Sequence, residues 1–181
     1  MRKALEFAFK AHEGQHRKGG NIPYIVHILD VMKYLLYENA PKEVIIAGIL
    51  HDVLEDTDYK KEDLNQFGEE VVKLIEFCSE PGNTVDATNM KETWKQRKEH
   101  SIKILKTATR NQALILLADK LSNITAIQED LLVIGDELWD RFNANKEDIA
   151  WYYREILNNR DIVNDTRMYK LFKERVEEIF G

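Results

Sequence analysis

His51, Asp52, Glu55 and Asp56 fall within six positions, directly after the apolar run at 44–50. Taking charged groups out of water at the end of a buried segment is costly unless something compensates. On a helix, residues four apart share a face, so His51 lies above Glu55 and Asp52 above Asp56. An imidazole among carboxylates suits a divalent cation, and such an ion would offset the burial. His51 and Asp52 are adjacent and point about 100° apart, so they converge on one ion only near the edge of a pocket. Two ligands rarely suffice, and distant segments must supply the others. His27 opens an apolar helix just after PYIV at 23–26, and Asp119 ends the apolar run LILLA at 114–118. Alone, each has an ordinary reading: a core histidine bonded to backbone, or an aspartate paired with Lys or Arg. Together, each at one end of a buried helix, the four point to a metal. The pair His12 and His16 has the same spacing but no carboxylates nearby, and Arg17 and Lys18 would repel a cation there.

The elements that must carry these residues read as helices. Three prolines and eight glycines leave little punctuation, and the apolar spacing is mostly helical. Residues 3–15 form a first helix, followed by a polar loop at 16–23, and residues 25–38 form a second. Pro41 takes the first position of a third helix, which is apolar nearly all round and therefore buried on every side. A short helix starts at 57–59, and Gly68 separates it from another at 71–75. A loop opens at 81–84 ahead of a basic helix. The run at 114–118 has an ambiguous period, but helical spacing continues through Ile127 with no partner strand, so it is helix. Asn145 caps the next helix, with Glu147 and Asp148 in its first turn. Met168, Phe172, Val176, Ile179 and Phe180 form a core stripe on the last. The expectation is one all-α domain over residues 1–181.

Bulk properties narrow the function. At 181 residues, with 44% hydrophobic and 32% charged, the chain can bury a sizeable core. No apolar run approaches the ~18 residues of a membrane span, and the N-terminus does not read as a signal peptide. A lone Cys78 excludes an internal disulfide and fits the cytoplasm, where it reads as a small buried hydrophobe. A net charge of −6 disfavours nucleic acid as a partner. Residues 91–110 nevertheless carry seven Lys or Arg against two Glu, either a solvated helix face or a positive wall for an anionic ligand.

The motifs resemble a known family. AFKAHEGQHRK at 8–18, PYIVH at 23–27, LHDVLEDT at 50–57, FG at 67–68 and LADKLSN at 117–123 are together similar to the hydrolase domain of the RelA/SpoT family, within the HD phosphohydrolases. The likeness is greatest to the stand-alone, MESH-type small alarmone hydrolases. It covers about residues 4–125, with a weaker echo in WDRF at 139–142 and WYY at 151–153. The resemblance implies a helical fold with Mn²⁺ held by His27, His51, Asp52 and Asp119. It also implies hydrolysis of the 3′-pyrophosphate of ppGpp and pppGpp to GDP or GTP plus pyrophosphate. Nothing resembles the family's synthetase domain, so hydrolysis alone is implied. Ile28 stands where the family usually has Pro, and Ser122 where an aromatic or His is common, which bears on how the pocket grips its base.

On this reading Glu55 and Asp56 orient water and shuttle a proton beside the metal. Their ordinary alternative is an acidic helix end capped by Thr57 or Asp58. A shell of nitrogen and hard oxygen without Cys suits Mn²⁺, and also Fe²⁺, Co²⁺ or Zn²⁺. A small-molecule nucleotide with at least four phosphates needs cations. Arg17 and Lys18 lie where the family places guanine and phosphate contacts, and Arg stacks on purines as well as pairing with phosphate. Lys91, Lys95 and Lys98 share a helix face, with Lys98 the best match. Asn123 offers its amide to ribose or phosphate. Tyr152 either walls the pocket or belongs to the core. Two other functions stay open: an HD phosphatase acting on another nucleotide such as NADPH, and a nucleotide sensor with a vestigial site.

Overall fold

The computed structural model describes residues 1–79, 93–159 and 161–181. Ten α-helices, with short 3₁₀ turns between some of them, account for the fold of the described residues: α1 (Arg2–Ala11), α2 (Ile25–Tyr37), α3 (Lys42–Leu50), α4 (Val53–Asp56), α5 (Lys61–Leu64), α6 (Glu69–Cys78), α7 (Trp94–Thr107), α8 (Arg110–Ile134), α9 (Lys146–Asn158) and α10 (Arg167–Phe180). No strand occurs among the described residues beyond an isolated bridge between His16 and Pro23. The all-helical expectation is met. The expected loop at 81–84 and Lys91 lie outside the described residues.

α3 is the axle of the fold. Every residue from Val44 to Leu50 is buried, as an all-round apolar helix requires. It packs against α1, α2, α6 and α8. The approach to α2 is close because position 48 is Gly; a methyl there would run into Leu35 and press on Val31. α8 crosses the same core for 25 residues and also meets α10. A reciprocal cap starts it, in which the Gln112 Oε1 accepts from the Thr109 backbone N–H at 2.8 Å. Asn145 caps α9 as expected, its Oδ1 accepting from the Asp148 backbone at 2.7 Å. On α10, Met168, Phe172 and Val176 are buried, with Ile179 and Phe180 packed at the margin.

Three boundaries differ from the sequence reading. α1 stops at Ala11, not at 15, and Gly14 adopts φ +77, a left-handed turn that Gly takes without steric cost. The chain leaves the helix there because residues 15–24 pair back on themselves, with Tyr24 N–H to Gln15 O at 2.9 Å and Arg17 N–H to Ile22 O at 2.8 Å. Pro41 precedes α3 in an extended conformation (ψ 149) and is not its first helical residue. The short helix begins at Lys61 and not at 57–59. Thr57 is extended, and its hydroxyl ties back to Val53 O at 2.6 Å, which ends α4; Asp63 then caps the Lys60 N–H at 2.8 Å to start α5.

Candidate active site

The candidate ligands arrive on three buried elements. His27 sits in the first turn of α2, His51 and Asp52 at the junction of α3 and α4, and Asp119 midway along α8. His27 Nε2 lies 3.4 Å from His51 Nε2, 3.3 Å from Asp52 Oδ2 and 3.5 Å from Asp119 Oδ1. His51 Nε2 is 3.0 Å from Asp52 Oδ2, so the adjacent pair does converge. One atom each from His27, His51 and Asp119 gather within 4.8 Å, and the three residues are buried. The Gly48 carbonyl, 2.8 Å from His51 Nδ1, can only accept, so Nδ1 carries a hydrogen and Nε2 faces the centre. Lone pairs and carboxylates this close need a positive charge between them. A divalent cation fits, with nitrogen and hard-oxygen donors and no sulfur.

Protonation tells the same story. Burial opposes charge on His51, but Asp52, with help from Asp119 and the Gly48 carbonyl, pushes the imidazole up to about 9. Against the same burial, His51 and His27 hold Asp52 well below the usual carboxylate range. Asp119 is also lowered despite burial, first by Lys120, whose Nζ is 2.7 Å from Oδ2. A cation bound here would take the place of the proton on His51 and balance the same carboxylates. Ser122, which lines the second of the cavities described below, also supports the cluster. Buried, with Oγ 2.9 Å from His27 Nδ1, it fixes that ring's orientation and leaves Nε2 facing the centre.

Tyr24 was not singled out from the sequence, yet its hydroxyl lies 2.7 Å from Asp52 Oδ2 and 2.9 Å from Asp56 Oδ2. Burial and the two carboxylates push its ionisation far up, so it stays a neutral hydroxyl. It can donate only once. Asp56 is itself raised, by burial and then by the charge on Asp52, so it holds a proton more readily than an ordinary aspartate. The signal was available: Tyr24 is three residues before His27 and so faces the same side.

Two cavities open from this cluster. The first, about 200 Å³, is lined by Asp52, Glu55, Asp56, Lys98, Lys120 and Tyr152, among others. The second, about 290 Å³, is lined by Arg17, Lys18, His27, Arg141 and Phe142, among others. Tyr24 and Asn123 border both. Asn123 donates Nδ2 to Asp119 Oδ1 at 2.5 Å and accepts from Arg17 Nη2 at 2.8 Å. Lys18 Nζ lies 5.5 Å from the Phe142 ring centre, and Lys98 Nζ 5.2 Å from that of Tyr152. Tyr152 is thus both core, 5% exposed, and cavity wall. Lys95 lies over Trp151 instead of lining either cavity. Lys120 and Arg141 were missed as cations of the site. A lysine beside an aspartate and an arginine in an exposed-looking segment carry no local signal of where they point.

The family model for the HD domain matches residues 4–150. The guanosine-3′,5′-bis(diphosphate) 3′-pyrophosphohydrolase of Aquifex aeolicus VF5 is 37% identical over 129 residues, covering 70% of this chain. The bifunctional (p)ppGpp synthase/hydrolase SpoT of Escherichia coli K12 is 32% identical over 130 residues, again 70% of this chain. The match spans 18% of the length of each relative. A crystal structure from Listeria monocytogenes EGD-e superposes with a TM-score of 0.74 at 29% identity, over 85% of this chain and 98% of that one. A metazoan ortholog of SpoT, which hydrolyses ppGpp and plays a role in starvation responses, gives a TM-score of 0.73 at 25% identity, over 99% and 92%. With its HD signature brought together at the meeting of three helices, the chain belongs to the HD-domain family, in its RelA/SpoT branch.

Proposed function

We propose that this protein is a metal-dependent guanosine alarmone hydrolase, removing the 3′-pyrophosphate of ppGpp and pppGpp to give GDP or GTP plus pyrophosphate. The observation that carries the proposal is that two cavities lined by cations flank the His-Asp cluster, with Tyr24 and Asn123 bordering both. A nucleotide with phosphates on both sides of its ribose needs that shape. The names and activities of the relatives above support the same substrate class.

In this proposal His27, His51, Asp52 and Asp119 hold the ion, and Mn²⁺ suits their donor set. When bound, the ion supplies Lewis acidity toward a phosphoryl oxygen and acidifies water. Glu55 and Asp56 orient the attacking water and take up its proton, and a proton passes to the ribose 3′ oxygen as the bond from that oxygen to phosphorus breaks. Lys98 and Lys120 steady the pyrophosphate in the first cavity, near Tyr152. Arg17 and Lys18 take the guanine and 5′ phosphates in the second, Arg17 by stacking or pairing. Asn123 holds Arg17 and Asp119 in register, and its amide is assigned to the ribose or a phosphate. Residues 1–181 act as one hydrolase unit, placed in the cytoplasm, where a lone Cys78 needs no partner.

The test is to incubate purified protein with Mn²⁺ and ppGpp, pppGpp or NADPH, and to measure pyrophosphate and orthophosphate. Pyrophosphate from ppGpp is expected. Orthophosphate from NADPH alone would move the substrate to another phosphorylated nucleotide, and tight binding without turnover would make the chain a sensor.

A further inference from the structure

His12 is buried, 4% exposed, and lies outside the roles assigned above. Its contacts determine where its hydrogen sits. Gln15 Nε2 donates to the backbone carbonyl of Asp56 at 2.7 Å, and a carbonyl can only accept. The other end of that amide, Oε1, is then the atom 2.8 Å from His12 Nδ1, and it too can only accept. Nδ1 therefore carries the hydrogen. Nε2 is left as a buried lone pair that meets no polar group of the protein. A phenyl ring of similar shape would bury no such atom, so the imidazole is there for its Nδ1–H and its ring face. That face stacks on Tyr24, with ring centres 4.8 Å apart and planes at 26°. Tyr24 in turn sets its hydroxyl between Asp52 and Asp56.

We infer that His12 is a positioning residue for the hydrolytic site, bracing α4 by two arms. One arm is the ring stack that aims the Tyr24 hydroxyl at Asp52 and Asp56. The other is the Nδ1–H, which orients Gln15 so that its amide ties the backbone of Asp56. The role rests on the reading of Asp52 and Asp56 as members of the reactive centre, and neither His12 nor Gln15 touches substrate in it.

Three variants separate the arms. His12→Phe keeps the ring stack and loses the donor, Gln15→Leu loses the amide at a partly exposed position, and Tyr24→Phe loses the hydroxyl. Each is expected to lower kcat for ppGpp roughly tenfold or more, as small misplacements of reacting groups do; in His12→Phe and Gln15→Leu, KM and calorimetric Mn²⁺ affinity stay within about twofold of the parent, whereas Tyr24→Phe, which strips a bond from Asp52, also weakens Mn²⁺ binding. His12→Phe combined with Gln15→Leu should cost no more than either alone, because both break one arm. Independently of activity, ¹⁵N–¹H correlation spectra of the histidine rings should show His12 as the Nδ1–H tautomer in the parent, a signal that Gln15→Leu disperses. An Nε2–H tautomer, or parental kcat in both His12→Phe and Gln15→Leu, overturns the inference. An inactive parent that retains the Nδ1–H signal overturns the hydrolase reading and supports the brace itself.

Discussion

A tyrosine hydroxyl has one hydrogen to give, and Tyr24 sets it between two carboxylates, one of which is raised toward holding a proton of its own. That arrangement divides the acidic residues into two kinds. Asp52 and Asp119 face the histidines and are kept ionised, whereas Glu55 and Asp56 stand beside them, toward the cavity. Glu55→Ala should therefore bind Mn²⁺ as the parent does but lose roughly 10²–10⁴-fold in kcat, the usual worth of a positioned acid or base. Asp119→Ala should lose the metal itself, as read by calorimetry. A Glu55→Ala enzyme hydrolysing ppGpp at the parental rate would remove that residue from the chemistry. The pH behaviour of the metal-free chain follows from His51. Its folded value is raised from 6.5 to about 9, so the charged imidazole stabilises the fold in full below about 6.5, and that stability is lost as pH rises through 9. Asp52 has the opposite sign, its contribution failing only in strong acid. In chelator the melting temperature should fall between pH 6.5 and 9, and saturating Mn²⁺ should flatten the slope, because a cation then balances the carboxylates in place of the proton.

Between elements, the spacing of the site is set by how closely α2 and α3 pack, since one carries His27 and the other ends at His51. Gly48 is the contact that allows it. Gly48→Ala gains about 1 kcal/mol of helix propensity, but its methyl meets Leu35, which is fully buried and has no room to yield. Overpacking of this kind costs about 1–3 kcal/mol, so the net effect is a loss of up to about 2 kcal/mol in urea unfolding. Metal affinity should fall with it, as His27 and His51 are pushed apart. Unchanged Mn²⁺ affinity in a folded, destabilised Gly48→Ala would show that the α2–α3 distance does not govern the site.

Across the whole molecule, α8 ties the site to the fold. Asp119, Lys120, Ser122 and Asn123 ride on a helix that also packs on α2, α3, α6 and α10. A cation bound there stabilises the native state and not the unfolded chain. At a hundred times its dissociation constant it adds about 2.7 kcal/mol, or roughly 5–10 °C in melting temperature for a chain of this size. Chelator should reverse the shift. A melting temperature indifferent to Mn²⁺, Fe²⁺, Co²⁺ and Zn²⁺ alike would mean that the cluster binds none of them.

Helix type and order, the buried character of α3 and the Asn145 cap were legible along the chain. Each depends on neighbours within a turn or two, where 3.6-residue periodicity and side-chain chemistry act directly. The early end of α1, the place of Ser122 behind His27, and the turning of Lys95 onto Trp151 were not, because each is decided by a partner brought from elsewhere. Gln15 reaches Asp56 across 41 positions and Arg17 reaches Asn123 across 106, distances over which local pattern carries no information about contact. Residue types and spacing thus determined which groups were available for chemistry. Only the packing of α2, α3 and α8 decided which of their atoms meet, because a few ångströms of helix separation govern whether lone pairs converge on one point.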